Sequence, residues 1–175
     1  MMVIRRLNQN DLEALWALRL QALGESPESF GSTYEETVAR GKESILQRLQ
    51  YGGENNFYFG AFDNNLTLVG MVGFVRPAGV KERHKADIVS LYVLPTARGQ
   101  GIARAMMQAV IDYARQQPAL EQLHLSVVTT ALPARNLYRS LGFQTYGTAP
   151  RALKLGDRYF DEAFMLLELQ AETPD

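Results

Sequence analysis

The segment from residue 86 to residue 128 constrains the fold more than any other part of the chain. ADIVSLYV (86–93) is an apolar strand pattern that stops at Pro95. Residues 100–116 then carry Ala103, Met106, Met107, Val110, Ile111 and Ala114 at helical spacing, and Pro118 ends that run. QLHLSVV (122–128) returns to a strand pattern. The apolar period thus switches from two to 3.6 and back. A strand, a helix and a second strand joined by short connections share one sheet as a parallel pair with a crossover helix. Helices must then cover the sheet, which makes this an α/β (α+β layered) domain.

The remaining elements fit around that unit. VIRRL (3–7) reads as a first strand. Residues 11–24 read as a helix, with Leu12, Leu15, Trp16, Arg19, Ala22 and Leu23 on one mostly apolar face, Asn8 or Asn10 as N-cap and Gly24 as its end. Residues 25–36 mix Pro, Gly, Ser and acidic residues and read as a loop or a short helical turn. Residues 42–51 form a second helix that Gly52 and Gly53 terminate. FYFGAF (57–62) and LTLVGMVGFV (66–75) read as a hairpin around Asp63-Asn64-Asn65. Residues 76–85 form a polar loop, and residues 132–140 form a short helix with Pro133 in its first turn. Residues 143–148 and 159–169 close the fold as strands around a Gly156-Asp157 turn. The predicted order is β-α-α-β-β-β-α-β-α-β-β. The 175 residues contain no repeat and no linker-like stretch, so 1–175 reads as a single domain.

Charge and cysteine content narrow the function classes. The 18 basic and 19 acidic side chains leave a net charge of -1, which offers no electrostatic footprint for nucleic acid or an anionic membrane. The absence of cysteine excludes disulfides, thiolate zinc sites and a cysteine nucleophile. MMVIRRLNQNDLEALW has no apolar core behind its arginines, and no apolar run approaches the ~20 residues that span a bilayer. A cytoplasmic protein with no membrane partner is expected. His84 and His124 are isolated from each other and from other ligands, so no metal site is expected. His124 alternates with Leu123 and Leu125 and so faces away from them, as a polar group under a helix.

The chemistry-bearing stretch runs from Leu91 to Ala103, LYVLPTARGQGIA. It joins a buried strand to the N-terminus of the strongest helix. Gly99 and Gly101 remove side chains where the backbone turns, and the first N–H groups of a helix lack intrahelical partners. Together with the helix dipole these groups form an anion site suited to a phosphate or pyrophosphate, to which Arg98 can add a charged contact. The same residues also describe a plain strand-to-helix turn with a surface arginine. The stretch is not a P-loop, because no Gly-Lys-Ser/Thr follows. It is not a complete dinucleotide fingerprint, because Arg104 stands at the third glycine position.

Arg98, Gly101 and Ala103 form R-x-x-G-x-A, which resembles the Q/R-x-x-G-x-G/A signature of the GNAT acetyltransferases. Ala134-Arg135-Asn136-Leu137-Tyr138, followed by Leu141-Gly142-Phe143, resembles that family's A-x-x-L-Y-x-x-x-G-F segment. The resemblance implies a GNAT fold: a mixed six- to seven-stranded sheet with a central splayed parallel strand pair and helices on both faces. It implies acetyl-CoA as co-substrate, with its pyrophosphate on the amides of Gly99, Gln100, Gly101, Ile102 and Ala103. Its pantetheine arm would lie along the backbone of Leu91, Tyr92 and Val93. The implied reaction is direct attack of a primary amine, from a small molecule or a peptide, on the acetyl carbonyl in a ternary complex. The Val93 N–H would face the oxyanion and the Tyr138 phenol would protonate the leaving thiolate. Where many members have an asparagine that contacts CoA, this chain has Ala131, so that contact falls to Thr129, Thr130 or Asn136, or is absent.

The general base is open. Glu35 and Asp87 lead, ahead of Glu36, Asp161 and Glu162; each also reads as a surface carboxylate, and an amine that arrives deprotonated needs none. The acidic segment from Phe30 to Glu36 reads as a specificity element that favours a cationic amine. The resemblance also suggests a homodimer through the last strands, with Phe160, Phe164 and Leu166. Two rival readings are a non-catalytic acyl-CoA sensor of the same fold, and a nucleotide-binding α/β domain that uses the same glycine turn.

Overall fold

In the computed structural model of the protein, which describes residues 1–169, the expected parallel pair is Lys85–Val93 (β4) beside Gln122–Val128 (β5). The helix between them is Ile102–Arg115 (α4). The chain enters through Val3–Arg6 (β1), then Leu12–Glu25 (α1), Tyr34–Arg40 (α2) and Glu43–Tyr51 (α3). A hairpin of Asn56–Phe62 (β2) and Leu68–Val75 (β3) follows. After β5 come Leu132–Ser140 (α5) and a long final hairpin, Gln144–Leu155 (β6) and Arg158–Glu168 (β7). All seven strands form one sheet in the order β1-β2-β3-β4-β5-β7-β6, with β4 and β5 as its parallel pair.

The central feature is how little of β4 and β5 actually pairs. Their register runs only through Lys85↔Gln122, Ala86↔Leu123 and Asp87↔His124. Beyond Asp87 the two strands part. β5 instead pairs along its whole length with β7, from Gln122↔Glu168 to Val128↔Glu162. β4 keeps β3 on its other side, but with a bulge between Met71 and Gly73, and Ser90 there takes φ 58. A bulge bends its strand and increases local twist. Here it turns the second half of β4 away from β5.

Two apolar layers cover the sheet. Met106, Met107, Val110, Ile111 and Ala114 of α4 are buried against Phe57, Val72, Phe74, Leu123 and Met165. On the opposite face, Leu15, Leu18 and Ala22 of α1 and Ile45 of α3 pack on Tyr58, Phe62, Met71 and Tyr92. Burial on both faces explains why β3 (LVGMVGFV) is apolar throughout rather than alternating.

Two elements differ from the sequence reading. Helix α2 starts inside the 25–36 stretch expected as a loop or short helical turn and extends through residues 37–40. Thr33 caps it: its Oγ1 accepts from the Glu36 N–H at 3.1 Å, and Glu36 accepts from the Thr33 N–H at 2.9 Å. This reciprocal pair closes the N-terminus of a segment whose Glu35, Glu36, Ala39 and Arg40 already favour helix. β6 runs on to Leu155, well past residue 148, by bulging twice, between Thr145 and Gly147 and between Ala149 and Leu153. Pro150 is tolerated inside it because β6 is an edge strand.

Candidate active site

The site begins on the edge of β4 that β5 leaves open. Leu94 donates its N–H to Val69 O at 2.8 Å, so Leu94 pairs with β3. Hydrogen-bonded residues alternate in an antiparallel ladder, so the backbone polar groups of Val93 point the other way, into the splay. Val93 O there accepts the Arg98 Nε at 2.9 Å, and its N–H faces the gap.

A single 3-10 turn, Pro95–Ala97, leads from β4 into the glycine turn. Gly99 and Gly101 have φ 77 and φ 75, and Gly101 is the N-cap of α4 without a side-chain cap. Ala105 is the first residue of this helix whose N–H meets a carbonyl, that of Gly101 at 3.0 Å. The amides of residues 99–104 therefore lack protein acceptors among the described residues. A Cβ added at either glycine would meet nothing within 4 Å, so the turn is open to a bulky group from outside. A cleft of about 620 Å³ runs from this turn along Leu91, Tyr92 and Val93, with Ala131, Ala134 and Leu137 forming its opposite wall. Acceptorless amides, the positive end of a helix and an open strand edge form a donor set that fits the pyrophosphate and amide arm of CoA.

Arg98 is already engaged at this turn. Besides Val93 O it reaches Glu25 Oε1 at 2.8 Å, and Glu25 also accepts the Tyr92 hydroxyl. Burial, then Glu25, pushes the Tyr92 phenol up to about 12. The expected anion contact of Arg98 is thus largely given over to bracing the end of α1 against the exit of β4. Arg104, in the first turn of α4, is the other cation on the cleft wall and is held by Ser140.

A second chamber of about 400 Å³ adjoins the cleft beneath the splay, with Ser29, Phe30, Leu91, Ala131 and Ala134 lining both. Tyr138 closes the second chamber. It is 7% exposed, lies 6.1 Å from the Phe143 ring, and burial alone pushes its phenol up to about 12. The hydroxyl therefore stays protonated at neutral pH.

The other expected site residues scatter. Gln100 is exposed and does not line the cleft, so only its backbone faces the turn. Asn136 is exposed on α5 and lines neither chamber. Glu35 borders a groove with Lys154 that shares Phe30, Gly31 and Leu153 with the second chamber, but Glu35 does not line that chamber itself. Asp87 lies at the closed end of the parallel pair, opposite His124. Partial desolvation there raises its pKa, against the pull of His124 and Lys85. Glu36 is the α2 cap, and Asp161 accepts the Arg151 N–H at 2.7 Å within the last hairpin. Glu162 is the carboxylate that lines the second chamber, near Ser126. His124 faces away from its neighbours as expected, but it meets Gln122 at 2.9 Å and Tyr146 at 3.4 Å rather than a helix. No group of three metal-ligating side chains occurs among the described residues.

Sequence reasoning passed over Glu25 and Arg104. Arg104 drew notice only as the residue that spoils a third glycine. Glu25 carries no local signal, because its partners lie about seventy residues downstream.

The Acetyltransferase (GNAT) family model matches residues 21–143, which is most of the chain and contains both motifs. The chain therefore belongs to the GNAT family of acetyltransferases. Over 97 residues it is 34% identical to the N-alpha-acetyltransferase RimI of Mycobacterium tuberculosis, covering 55% of this chain and 58% of that one. Over 85 residues it is 34% identical to an L-methionine sulfoximine/L-methionine sulfone acetyltransferase of Pseudomonas aeruginosa, covering 46% of each. The match thus spans about half the length of these curated relatives. Among solved structures, yncA from Salmonella typhimurium, determined with its cofactor acetyl-CoA, shares the fold at TM-score 0.77 and 21% identity. That likeness covers 100% of this chain and 98% of that one.

Proposed function

We propose that the protein is an N-acetyltransferase that moves the acetyl group of acetyl-CoA directly to a primary amine of a small molecule or peptide. The observation that carries this reading is that the acceptorless amides of 99–104 and the open edge of β4 line one cleft, and that the chamber adjoining it is lined by the buried Tyr138. The curated relatives, one an N-alpha-acetyltransferase and one an L-methionine sulfoximine/L-methionine sulfone acetyltransferase, support an amine acceptor.

Acetyl-CoA supplies an activated acetyl group as a thioester. The amides of 99–104 hold its pyrophosphate, and the Leu91–Val93 edge aligns the arm that follows. The Val93 N–H donates to the acetyl oxygen as negative charge develops there. Tyr138 gives its proton to the departing sulfur, a role that needs a phenol still protonated at working pH. The proton released by the amine passes to Glu162, directly or through water, since Glu162 is the carboxylate on the chamber wall.

Isothermal titration with acetyl-CoA, against NAD and ATP, tests this reading. Selective binding of acetyl-CoA, followed by thiol release in the presence of amines, is the expected result. Binding without release under any amine would leave the sensor reading, and binding of NAD or ATP instead would leave the nucleotide-binding one.

A further inference from the structure

We infer that the acceptor amine also carries an acidic group, and that Arg19 receives it. The inference rests on reading the second chamber as the acceptor site, and it names the class of molecule that enters.

Two charged side chains line that chamber, Glu162 and Arg19. Glu162 lines the chamber together with Tyr138 and meets Ser126. Arg19 comes from α1, on the helix face that is otherwise mostly apolar. It is half-buried, and its Nη1 donates to Ser90 Oγ at 3.2 Å, at the bulge where β4 leaves β5. The two charges make the chamber bipolar.

Arg19 also lines an adjoining cavity of about 230 Å³, together with Trp16, Arg40 and Arg48. The wall of this cavity contains no carboxylate. Ion pairs among the described residues are Arg5–Asp11, Lys42–Glu13, Arg98–Glu25 and Arg115–Asp112, and none involves these three arginines. Arg48 donates to the Tyr58 hydroxyl at 2.8 Å and to the carbonyls of Phe57 and Phe74, but its Nε is buried without a partner. Burial, together with the nearby charge of Arg19, disfavours the charged form of Arg48. Arg40 is exposed and has Glu36 nearby, so the repulsion falls on Arg19 and Arg48, and an anion bound beside Arg19 offsets it. Arg19 is the member of the cluster that reaches the acceptor chamber, so an acid held there leaves the amine of the same molecule free to point toward Glu162 and Tyr138. Of the 30–36 segment, Phe30 and Gly31 line this chamber, while Glu36 serves as a helix cap and Glu35 borders the neighbouring groove.

The test uses two series on the full chain: ω-amino acids from glycine to 5-aminopentanoate, and the n-alkylamines of matching length. The lone tryptophan, Trp16, lines the arginine cavity and reports occupancy by fluorescence. At least one ω-amino acid should shift Trp16 emission saturably and exceed its alkylamine at least tenfold in kcat/KM for thiol release. Arg19→Gln should remove both differences while acetyl-CoA affinity stays intact, and Arg19→Lys should restore part of them. Equal behaviour of the two series, no emission change with any acid, or a preference that survives in Arg19→Gln would each overturn the inference. Thiol release separates these outcomes from failure of the transfer reading: acetyl-CoA binding without release from any member of either series is failure of transfer, whereas release that is equal for the two series overturns only the Arg19 assignment.

Discussion

Arg98 Nε donates to the carbonyl oxygen of Val93 at 2.9 Å, so the arginine of the glycine turn fixes the strand residue whose N–H opens into the cleft. The same guanidinium reaches Glu25 at the end of α1. The glycine turn, the exit of β4 and the first helix are thereby one mechanical unit. Arg98→Ala should weaken acetyl-CoA binding by about tenfold, the scale of one lost charge-assisted hydrogen bond. Arg98→Lys should not restore it, because one ammonium cannot serve both acceptors in that fork. Isothermal titration measures both.

Gly101→Glu should abolish acetyl-CoA binding in a protein that still folds. The new side chain finds open space, so the structural cost is the strain of a non-glycine residue at φ 75, about 1–2 kcal/mol. Its carboxylate would lie over the amides that must receive pyrophosphate. Circular dichroism should show a native spectrum beside the lost titration signal.

Tyr138→Phe should lower kcat by about a hundredfold or more while leaving the acetyl-CoA Kd within about twofold, the expected range for losing a general acid. Because the phenol is pushed up to about 12, its ionisation should not limit wild-type turnover on the alkaline side below pH 10. A pH–rate profile of both proteins checks this.

Stability should fall in strongly alkaline solution. Tyr92 and Tyr138 are raised from 10.0 to about 12 in the folded protein. Below pH 10 both states hold these protons, so the contribution is fully present. Between 10 and 12 the unfolded chain releases them first and folding weakens. Urea midpoints should be flat to about pH 9 and then decline, with a smaller decline in Tyr138→Phe.

Glu162→Gln should lower kcat/KM for amines at least tenfold at neutral pH, with partial recovery at higher pH as the amine arrives deprotonated. Acetyl-CoA affinity should not move. A loss that does not depend on pH would remove Glu162 from the role of base.

Much of the fold was legible because its signals are local. The helical spacing of Met106, Met107, Val110 and Ile111 predicted α4, and the apolar runs on either side predicted the parallel pair. The glycine turn and Tyr138 came from two short motifs, and they line the cleft and its adjoining chamber. The capping pair Thr33 and Glu36 was also local, but Gly31 and Ser32 before it disguised α2 as loop. Other features depend on distant contacts. The bulge at Ser90 arises from the twist of β4 against β3, and no residue near Ser90 announces it. Glu25 gains its role only when the end of α1 meets Tyr92 and Arg98. Sequence order brings Glu35 and Asp87 beside the acceptor, yet Glu35 borders the neighbouring groove rather than the second chamber, and the short parallel register holds Asp87 at the closed end. Arg19 was visible as the charged member of an apolar helix face, but its cavity was not.

The most direct test follows the backbone itself. Amide hydrogen exchange with and without acetyl-CoA reads which N–H groups the cofactor covers. Protection should appear at Val93 and across residues 99–104, the amides that lack protein acceptors and face the cleft. Exchange unchanged at those positions, in a protein saturated with acetyl-CoA, would contradict the central claim that the splay of β4 from β5 is the cofactor site.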